Sequence, residues 1–516
     1  MGPWVNAASS ASSITSPGFA SSQAARMAYP KSDISINLKD HSSSKVYTSL
    51  SPVAGDVTIT TKRDVRFDSI QILLLGHTKT TYEGMGMPQE VTHTFLKMVM
   101  PIPESTYPLP RVLEAGRTFK IPFNFVIPSQ LTINACNHAR HSETIQDHHV
   151  KLPPSLGGWQ RDDMAPKMAQ VVYSIKARVV REDSDCRTRI MEATYPIQVL
   201  PATPEEPPLS ITDKDRLYRM SKAKYLRKNM LTTKVGCIRA EAVQPGAAVL
   251  SPDGRRVMSH PMAHIKLVFA PESPRALPPT ITGVTAKLTA HTYFSSGTIP
   301  CFPNLGEWII PCCPDRRGQY SSSVALPAVT LAEQPAWTSH PTIPRRDSGY
   351  GSSCVEDSDS SDHEDPRTKW DSSRSSSPQA HHTTTLTVPL SLPTDRKMLV
   401  PTFHSCIASR VYTVQLTVGV AAKGAGSTSL SVVVPLQIAA DGEGGKEAAP
   451  GDRPPSFEEA AADEHLRPRV LRAPPSEEQT REGRESWMLA AGAAGQVADR
   501  GGLPEYDDSG RRRRRD

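Results

Sequence analysis

Hydrophobic and polar residues alternate along several segments of the chain. In one of them apolar side chains occupy every second position, at Phe119, Ile121, Phe123, Phe125 and Ile127. An extended strand places such positions on one face, so the pattern predicts a strand with one side buried against a core. Similar alternation recurs in residues 34–38, 94–100, 171–179, 412–420 and 432–438. We therefore predict an all-β fold built of antiparallel β-sandwiches.

Proline usage supports this prediction. The chain has 47 Pro among 516 residues, about twice the usual frequency. Proline lacks the backbone donor that a sheet needs, so it is confined to edges, first strand positions, bulges and connections. Frequent proline thus favours short strands and long linkers.

Composition divides the chain into folded and unfolded parts. Residues 1–30 are rich in Ser and Ala and are predicted to be disordered, as is the tail 441–516, which is rich in Gly, Glu, Ala, Arg and Pro. Strand patterns fill residues 31–203, the first predicted sandwich. Residues 204–213 follow as a Pro-rich, charged linker, and residues 214–440 form the second predicted sandwich.

The second sandwich has an interruption. Residues 313–384 are dominated by Ser, Asp, Arg and Pro. We interpret them as a long disordered insertion, since a sandwich tolerates long loops at a modest entropic cost. The alternative is a third domain, which this composition disfavours.

Candidate phosphorylation sites lie within the insertion, at Ser348, Ser358, Ser361 and Ser377. Phosphates there would create or block a docking site, and the alternative is a loop that only improves solubility.

The charge of the chain limits the kinds of partner that it can bind. The net charge of +6 is small for this length, which argues against nucleic acid as a partner. Between positions 214 and 228 seven Lys or Arg stand against one acid, and we take Lys222, Lys224, Arg227 and Lys228 as a candidate membrane-facing patch for anionic lipid. The alternative is that these residues are simply a charged surface in contact with solvent.

Cysteine usage indicates the compartment. Eight irregularly spaced cysteines fit a reducing cytosol, and we expect a soluble protein without a secretory signal.

The sequence lacks the common signatures of catalysis. It has no Gly-x-Ser-x-Gly elbow, no phosphate-binding loop ending in Lys-Ser/Thr and no His-Glu-x-x-His helix. His138, His141, His148 and His149 lie in one loop-like segment and are interpreted as solvated or capping residues. We therefore expect no enzyme activity, no catalytic or metal-binding residue and no cofactor.

Two short motifs lie in the tail. The segment Leu503, Pro504, Glu505 and Tyr506 places a tyrosine two positions after a proline, which suits the aromatic grooves of WW domains. The segment Pro454, Pro455, Ser456 and Phe457 has both prolines but ends in Phe, so it is the weaker candidate.

Several segments resemble one known family when taken in order. Residues 46–50 (VYTSL), 55–59 (GDVTI) and 67–72 (FDSIQI) are similar to the opening strands of an arrestin amino-terminal domain. Further likeness lies in residues 119–128, in the loop 149–157 (HVKLPPSLG), in the strands 173–180 and 277–293, and in the closing strand 434–438. Together they resemble the alpha-arrestin (arrestin-related trafficking adaptor) family, particularly its fungal members.

The resemblance implies an adaptor made of two arrestin-like β-sandwich domains. Members of the family bind membrane transporter or receptor tails, and Pro-Pro-x-Tyr motifs in their tails recruit WW-domain HECT-type ubiquitin ligases for endocytosis. Here Pro504 and Tyr506 match that motif, and Leu503 replaces its first proline. The expected location is the cytoplasm, with recruitment to plasma membrane and endosomes. The alternative is a phospho-regulated scaffold in a receptor signalling pathway, such as ambient-pH or nutrient sensing, without an obligatory ubiquitin role.

Overall fold

Extended backbone dominates the structure, a computed structural model that describes residues 33–82, 88–183, 186–227, 234–309, 315–329, 331, 333–341, 380–423 and 426–442. The predicted all-β class is confirmed. The strands of the first half are β1 (Asp33–Leu38), β2 (Val46–Tyr47), β3 (Pro52–Thr60), β4 (Val65–Arg66), β5 (Ser69–Tyr82), β6 (Gln89–Val99), β7 (Val112–Leu113), β8 (Thr118–Val126), β9 (Ala169–Asp183) and β10 (Cys186–Val199). Helix α1 (Glu143–His149) and two 3-10 turns, Glu104–Thr106 and Ile133–Ala135, lie between them.

The second half continues in the same way. Its strands are β11 (Ser221–Arg227), β12 (Lys234–Ala242), β13 (Ala248–Leu250), β14 (Met262–Pro271), β15 (Thr280–Ser295), β16 (Arg317–Ala325), β17 (Thr338–His340), β18 (His381–Pro389), β19 (Phe403–His404), β20 (Ala408–Ala421), β21 (Ser427–Leu436) and β22 (Ile438–Ala440). No helix among the described residues is long and apolar enough to cross a bilayer.

The first sandwich packs a three-stranded sheet, in the order β1-β3-β8, against a five-stranded sheet, β2-β10-β9-β5-β6. The alternation predicted for β8 is confirmed, because Ile121, Phe123 and Phe125 are buried and the residues between them face outward. Strand β6 departs from strict alternation, since Phe95 and Leu96 are both buried. A β-bulge explains this, because Gly76 and His77 of β5 pair with Leu96 and Thr94 and leave Phe95 as an extra residue of β6. A Cβ at Gly76 would lie 2.4 Å from the Phe95 ring.

The second sandwich packs the sheet β11-β12-β14-β18-β17 against the sheet β16-β15-β20-β19, with β21 also paired to β20. The core between them is aliphatic, as Ile238, Ile265, Leu288 and Leu416 show, each with no exposed surface. Apolar side chains from facing sheets thus exclude water over the length of β15 and β20, at about 25 cal/mol for each Å² of buried surface.

The predicted boundaries of the insertion were wrong at both ends. Strand β16 pairs with β15 along its whole length, and β17 pairs with the start of β18. Strand β16 is an edge strand in which no residue is buried, and the first buried side chain after it is Leu326. A strand exposed on both faces has no need for alternation, so its Ser-rich sequence resembled a loop. Residues 342–379, which include all four candidate phosphorylation sites, lie outside the described residues, as do residues 1–32 and 443–516.

The predicted linker 204–213 contains no strand, and it lies along the second sandwich. Thr203 pairs with Ala440. Further along, the Glu206 amide donates to the Gln437 side chain over 2.9 Å, and the Ala247 amide donates to the Glu205 carboxylate over 2.8 Å. Elsewhere the Met398 amide donates to the Asp162 carbonyl over 3.0 Å. The two sandwiches are therefore joined by main-chain hydrogen bonds as well as by the linker.

Candidate functional site

Most of the site residues predicted from the sequence fall outside the described residues. These are the motif Leu503, Pro504, Glu505 and Tyr506, the motif Pro454, Pro455, Ser456 and Phe457, the serines Ser348, Ser358, Ser361 and Ser377, and Lys228. Of the predicted basic patch, the structure places Lys222, Lys224 and Arg227 on β11, where all three are exposed.

Strand β11 lies at the edge of its sheet, hydrogen-bonded to β12. Lys222 and Lys224 stand opposite Ala240 and Ile238, two core residues, so both lysines point to the side of the sheet that faces the other sheet. They line an open cleft with Arg219 and with the serines of β21. Inward-pointing charges on an edge strand prevent pairing with another chain, and the same cluster attracts anionic groups. The position of these lysines thus suits protection of the strand edge, and the anionic-lipid contact stays a prediction.

Another cavity, of about 460 Å³, lies where the two sandwiches meet. Helix α1, the linker and the β19–β20 turn form its walls. Two histidines from different sandwiches contact the same Phe302 ring, His148 with ring centroids 5.1 Å apart and His404 with 4.8 Å. Burial, then the neighbouring His148, holds the pKa of His404 well below its usual range, so this ring is neutral. Glu206 of the linker pairs with Lys151 and lies 3.5 Å from His148 Nε2.

Arg410 on β20 is a second polar feature of the junction. Its side chain has no exposed surface, and its Nη1 donates to the main-chain oxygen of Asp163 over 3.1 Å. The Asp163 carboxylate accepts hydrogen bonds from the amides of Gly157, over 2.6 Å, and Ala165, over 3.1 Å. Burial raises the pKa of Asp163, and the Arg410 charge opposes that rise. A buried guanidinium in this position fixes the loop of the first sandwich against β20 of the second.

The third feature of the junction is a set of sulfur and nitrogen atoms. Cys136, His138, His149 and Cys406, named here the Cys–His cluster, place four donor atoms within 4.8 Å of one another. Cys136 ends the 3-10 turn, His149 ends α1, and Cys406 lies between β19 and β20. Burial is the main cause that raises the pKa of Cys406 to about 12 and lowers the pKa of His149 to about 3.

The interpretation of the histidines as solvated loop residues was wrong for His149, which is 2% exposed. The segment holds a helix, and the helix turns His149 inward toward Cys136 while His148 faces the cavity. In the sequence, the pattern Cys136-x-His138 places two possible metal ligands close together and could have indicated part of this cluster. The fourth member, Cys406, is so distant in the chain that only the folded structure reveals it.

No protein-family model matches the chain, and a search of the curated proteins finds no match.

Proposed function

We propose that this protein is a non-enzymatic, arrestin-like adaptor. In this proposal the paired sandwiches bind the cytoplasmic tails of plasma-membrane transporters or receptors. The tail of the chain then recruits a WW-domain HECT-type ubiquitin ligase, so that the bound cargo is ubiquitinated and internalised. The protein works in the cytoplasm and is recruited to the plasma membrane and endosomes.

The observation that carries the proposal is the pairing of two β-sandwiches through hydrogen bonds and buried side chains. Hydrogen bonds between Asp162 and Met398 and between Thr203 and Ala440 connect them, and Arg410 is buried where they meet. Two joined sandwiches present sheets and loops side by side, which suits recognition of an extended partner. The order of the segments that resemble alpha-arrestins supports the same proposed adaptor function.

The tail supplies the second part of the proposed mechanism. A ligase bound near Tyr506 is tethered to the cargo through the segment that follows Ala440, so its effective concentration at cargo lysines is set by the length of that segment. A weak linear motif is sufficient under these conditions, because the second binding event is intramolecular. The same logic explains why Leu503 in place of a proline is tolerable.

The test uses the full-length protein and a panel of isolated WW domains from HECT ligases. Tyr506→Ala is expected to abolish binding, because the tyrosine ring fills the aromatic groove. Phe457→Ala in the weaker motif is the matched control and is expected to leave binding nearly unchanged. If Tyr506→Ala binds as well as the unmodified chain, the proposed docking motif is wrong.

A second candidate function is a phospho-regulated signalling scaffold. One observation favours it: the pairing of β17 with β18 brings residues 340 and 381 together, with their imidazole rings 5.1 Å apart. All four candidate serines lie between these residues, so their phosphates would be presented from one place on the second sandwich. Deleting residues 342–379 preserves β16, β17 and β18. Loss of receptor-tail binding in that deletion would favour the scaffold, whereas unchanged cargo binding favours the adaptor.

A further inference from the structure

We propose that the Cys–His cluster is a zinc site and that the bound ion ties the two sandwiches together. The inference does not depend on the proposed adaptor function. Cys136, His138 and His149 come from the segment between β8 and β9, whereas Cys406 comes from the turn between β19 and β20. Three ligands thus belong to the first sandwich and one to the second.

The separations of three of the four donor atoms match a tetrahedral site. With Zn–N of about 2.0–2.1 Å and Zn–S of about 2.3 Å, tetrahedral angles require N···N of about 3.4 Å and S···N of about 3.5 Å. The distance from His149 Nδ1 to His138 Nε2 is 3.3 Å. The distances from Cys136 Sγ to the same two nitrogens are 3.5 and 3.4 Å. One ion at the centre of these three atoms would satisfy their distances together, and Cys406 Sγ lies within 4.8 Å of each of them.

The residues around the ligands hold them in place. His138 Nδ1 lies 2.9 Å from the main-chain oxygen of Ala139, which fixes the proton on Nδ1 and leaves the lone pair of Nε2 directed at the cluster. The carbonyl of Cys406 accepts a hydrogen bond from the Ile299 amide over 2.7 Å. Helix α1 fixes His149, and Cys136 and Cys406 pack together with Ile407. Ligand positions set by main-chain contacts reduce the entropic cost of binding the ion.

The chemistry of the four donors selects zinc. Two sulfurs and two imidazole nitrogens offer no oxygen, which disfavours magnesium and calcium, and S₂N₂ in a tetrahedron is typical of structural zinc. Binding releases the two thiol protons to solvent, and the two thiolates then balance the +2 charge of the ion. The resulting centre is neutral, which suits its burial: Cys136, His149 and Cys406 are each at most 3% exposed.

A disulfide between Cys136 and Cys406 is the main competing structure. A disulfide would involve only the two sulfurs and would not explain why the two imidazole rings also lie beside them.

Four protein ligands complete the coordination of zinc and leave no position for a substrate, so the proposed site is structural. Since zinc binding in such sites contributes directly to folding, the ion would stabilise the junction of the two sandwiches.

The test is the metal content of the full-length protein purified under reducing conditions without chelators. We expect inductively coupled plasma mass spectrometry to find one zinc ion per chain. The variants Cys406→Ser and His149→Ala are expected to lose that zinc. The controls are Cys237→Ser, a buried cysteine of β12, and His141→Gln, a histidine of the same segment outside the cluster. Both controls are expected to retain the ion. Zinc retained by Cys406→Ser would overturn the proposal.

A second measurement remains decisive if those variants fail to fold. Cobalt replaces zinc in the unmodified protein, and a tetrahedral site with thiolate ligands then shows intense visible bands and thiolate-to-cobalt charge transfer. Chelation of the native zinc is also expected to expose the linker 204–213 to proteolysis. A protein without bound metal, a cobalt spectrum without thiolate bands, or a peptide map showing a Cys136–Cys406 disulfide would each overturn the proposal.

Discussion

Arg410 donates a hydrogen bond from Nη1 to the main-chain oxygen of Asp163 over 3.1 Å, which joins a strand of the second sandwich to a loop of the first. Arg410 Nε and Nη2 are buried without a hydrogen-bond partner among the described residues. A buried cation with incomplete partners is costly unless its charge is balanced, and the Asp163 carboxylate supplies part of that balance. The two residues should therefore be energetically coupled.

Arg410→Met is expected to lower the free energy of unfolding at pH 7 by about 2 kcal/mol. The substitution removes the opposing charge, so the already raised pKa of Asp163 rises further. A carboxyl with a raised folded-state pKa stabilises the protein at low pH and loses that contribution as pH rises. Relative to the unmodified protein, part of the loss in Arg410→Met should therefore be recovered at pH 5, as measured by denaturant unfolding.

The control for this coupling is Arg410→Met in an Asp163→Asn background. Without an ionisable group at position 163, the loss should be smaller and should no longer depend on pH. A loss of equal size at pH 5 and pH 7 in both backgrounds would show that the two side chains are not coupled through charge.

His291 should make stability depend on pH. It is buried, its Nε2 lies 2.9 Å from Thr413 Oγ1, and burial followed by the Arg410 charge lowers its pKa to about 4. A histidine with a depressed folded-state pKa stabilises the protein above its unfolded pKa of about 6.5, and this contribution falls away as pH drops towards 4. Its full loss corresponds to about 3 kcal/mol, from 1.36 kcal/mol for each pKa unit.

His291→Gln is the variant that measures this contribution. The amide can bond to Thr413 but does not titrate, so the decline of unfolding free energy between pH 7 and pH 5 should become shallower. Other buried histidines, such as His404, keep part of the slope. His260→Gln, at an exposed position, is the matched control and should leave the decline unchanged. An unaltered slope in His291→Gln would contradict the assignment.

The sequence predicted the strands whose two faces differ. Strand β8 has one face on the core, so Ile121, Phe123 and Phe125 alternate with polar residues and reveal it. Strand β16 was missed because both of its faces are exposed along much of its length, and exposure on both sides leaves no period in the sequence. Local patterns thus identify half-buried strands and fail at polar edges.

The features of the junction were hidden for a different reason. The Cys–His cluster needs Cys406 beside Cys136, and Arg410 acquires its role from the main chain of Asp163. Each relationship joins residues of different sandwiches, so it depends on how two folded bodies pack. Spacing rules for ligands and ion pairs act within a segment and contain no information about such packing.

Removing the two inward-pointing lysines of β11 should make the protein aggregate. Lys222 and Lys224 occupy an edge strand and point toward the opening between the two sheets. Lys222→Val combined with Lys224→Val removes the two inward-pointing charges of this strand edge, which can then pair with another molecule. Light scattering should show oligomers that grow with time, whereas Lys222→Glu combined with Lys224→Glu should stay monomeric because charge is retained. Aggregation of both double variants to the same extent would contradict protection by charge.

The glutamate double variant also tests lipid binding. If the basic patch contacts an anionic membrane, the two lysines contribute about 2 kcal/mol together, so their reversal should weaken binding to phosphatidylserine vesicles at least about thirtyfold. Binding of the unmodified protein should fall as salt rises, because the contact is electrostatic. The matched control is Lys97→Glu combined with Lys167→Glu, two exposed lysines of the first sandwich. Equal weakening by the two double variants would indicate a response to net charge and would remove β11 as the membrane contact.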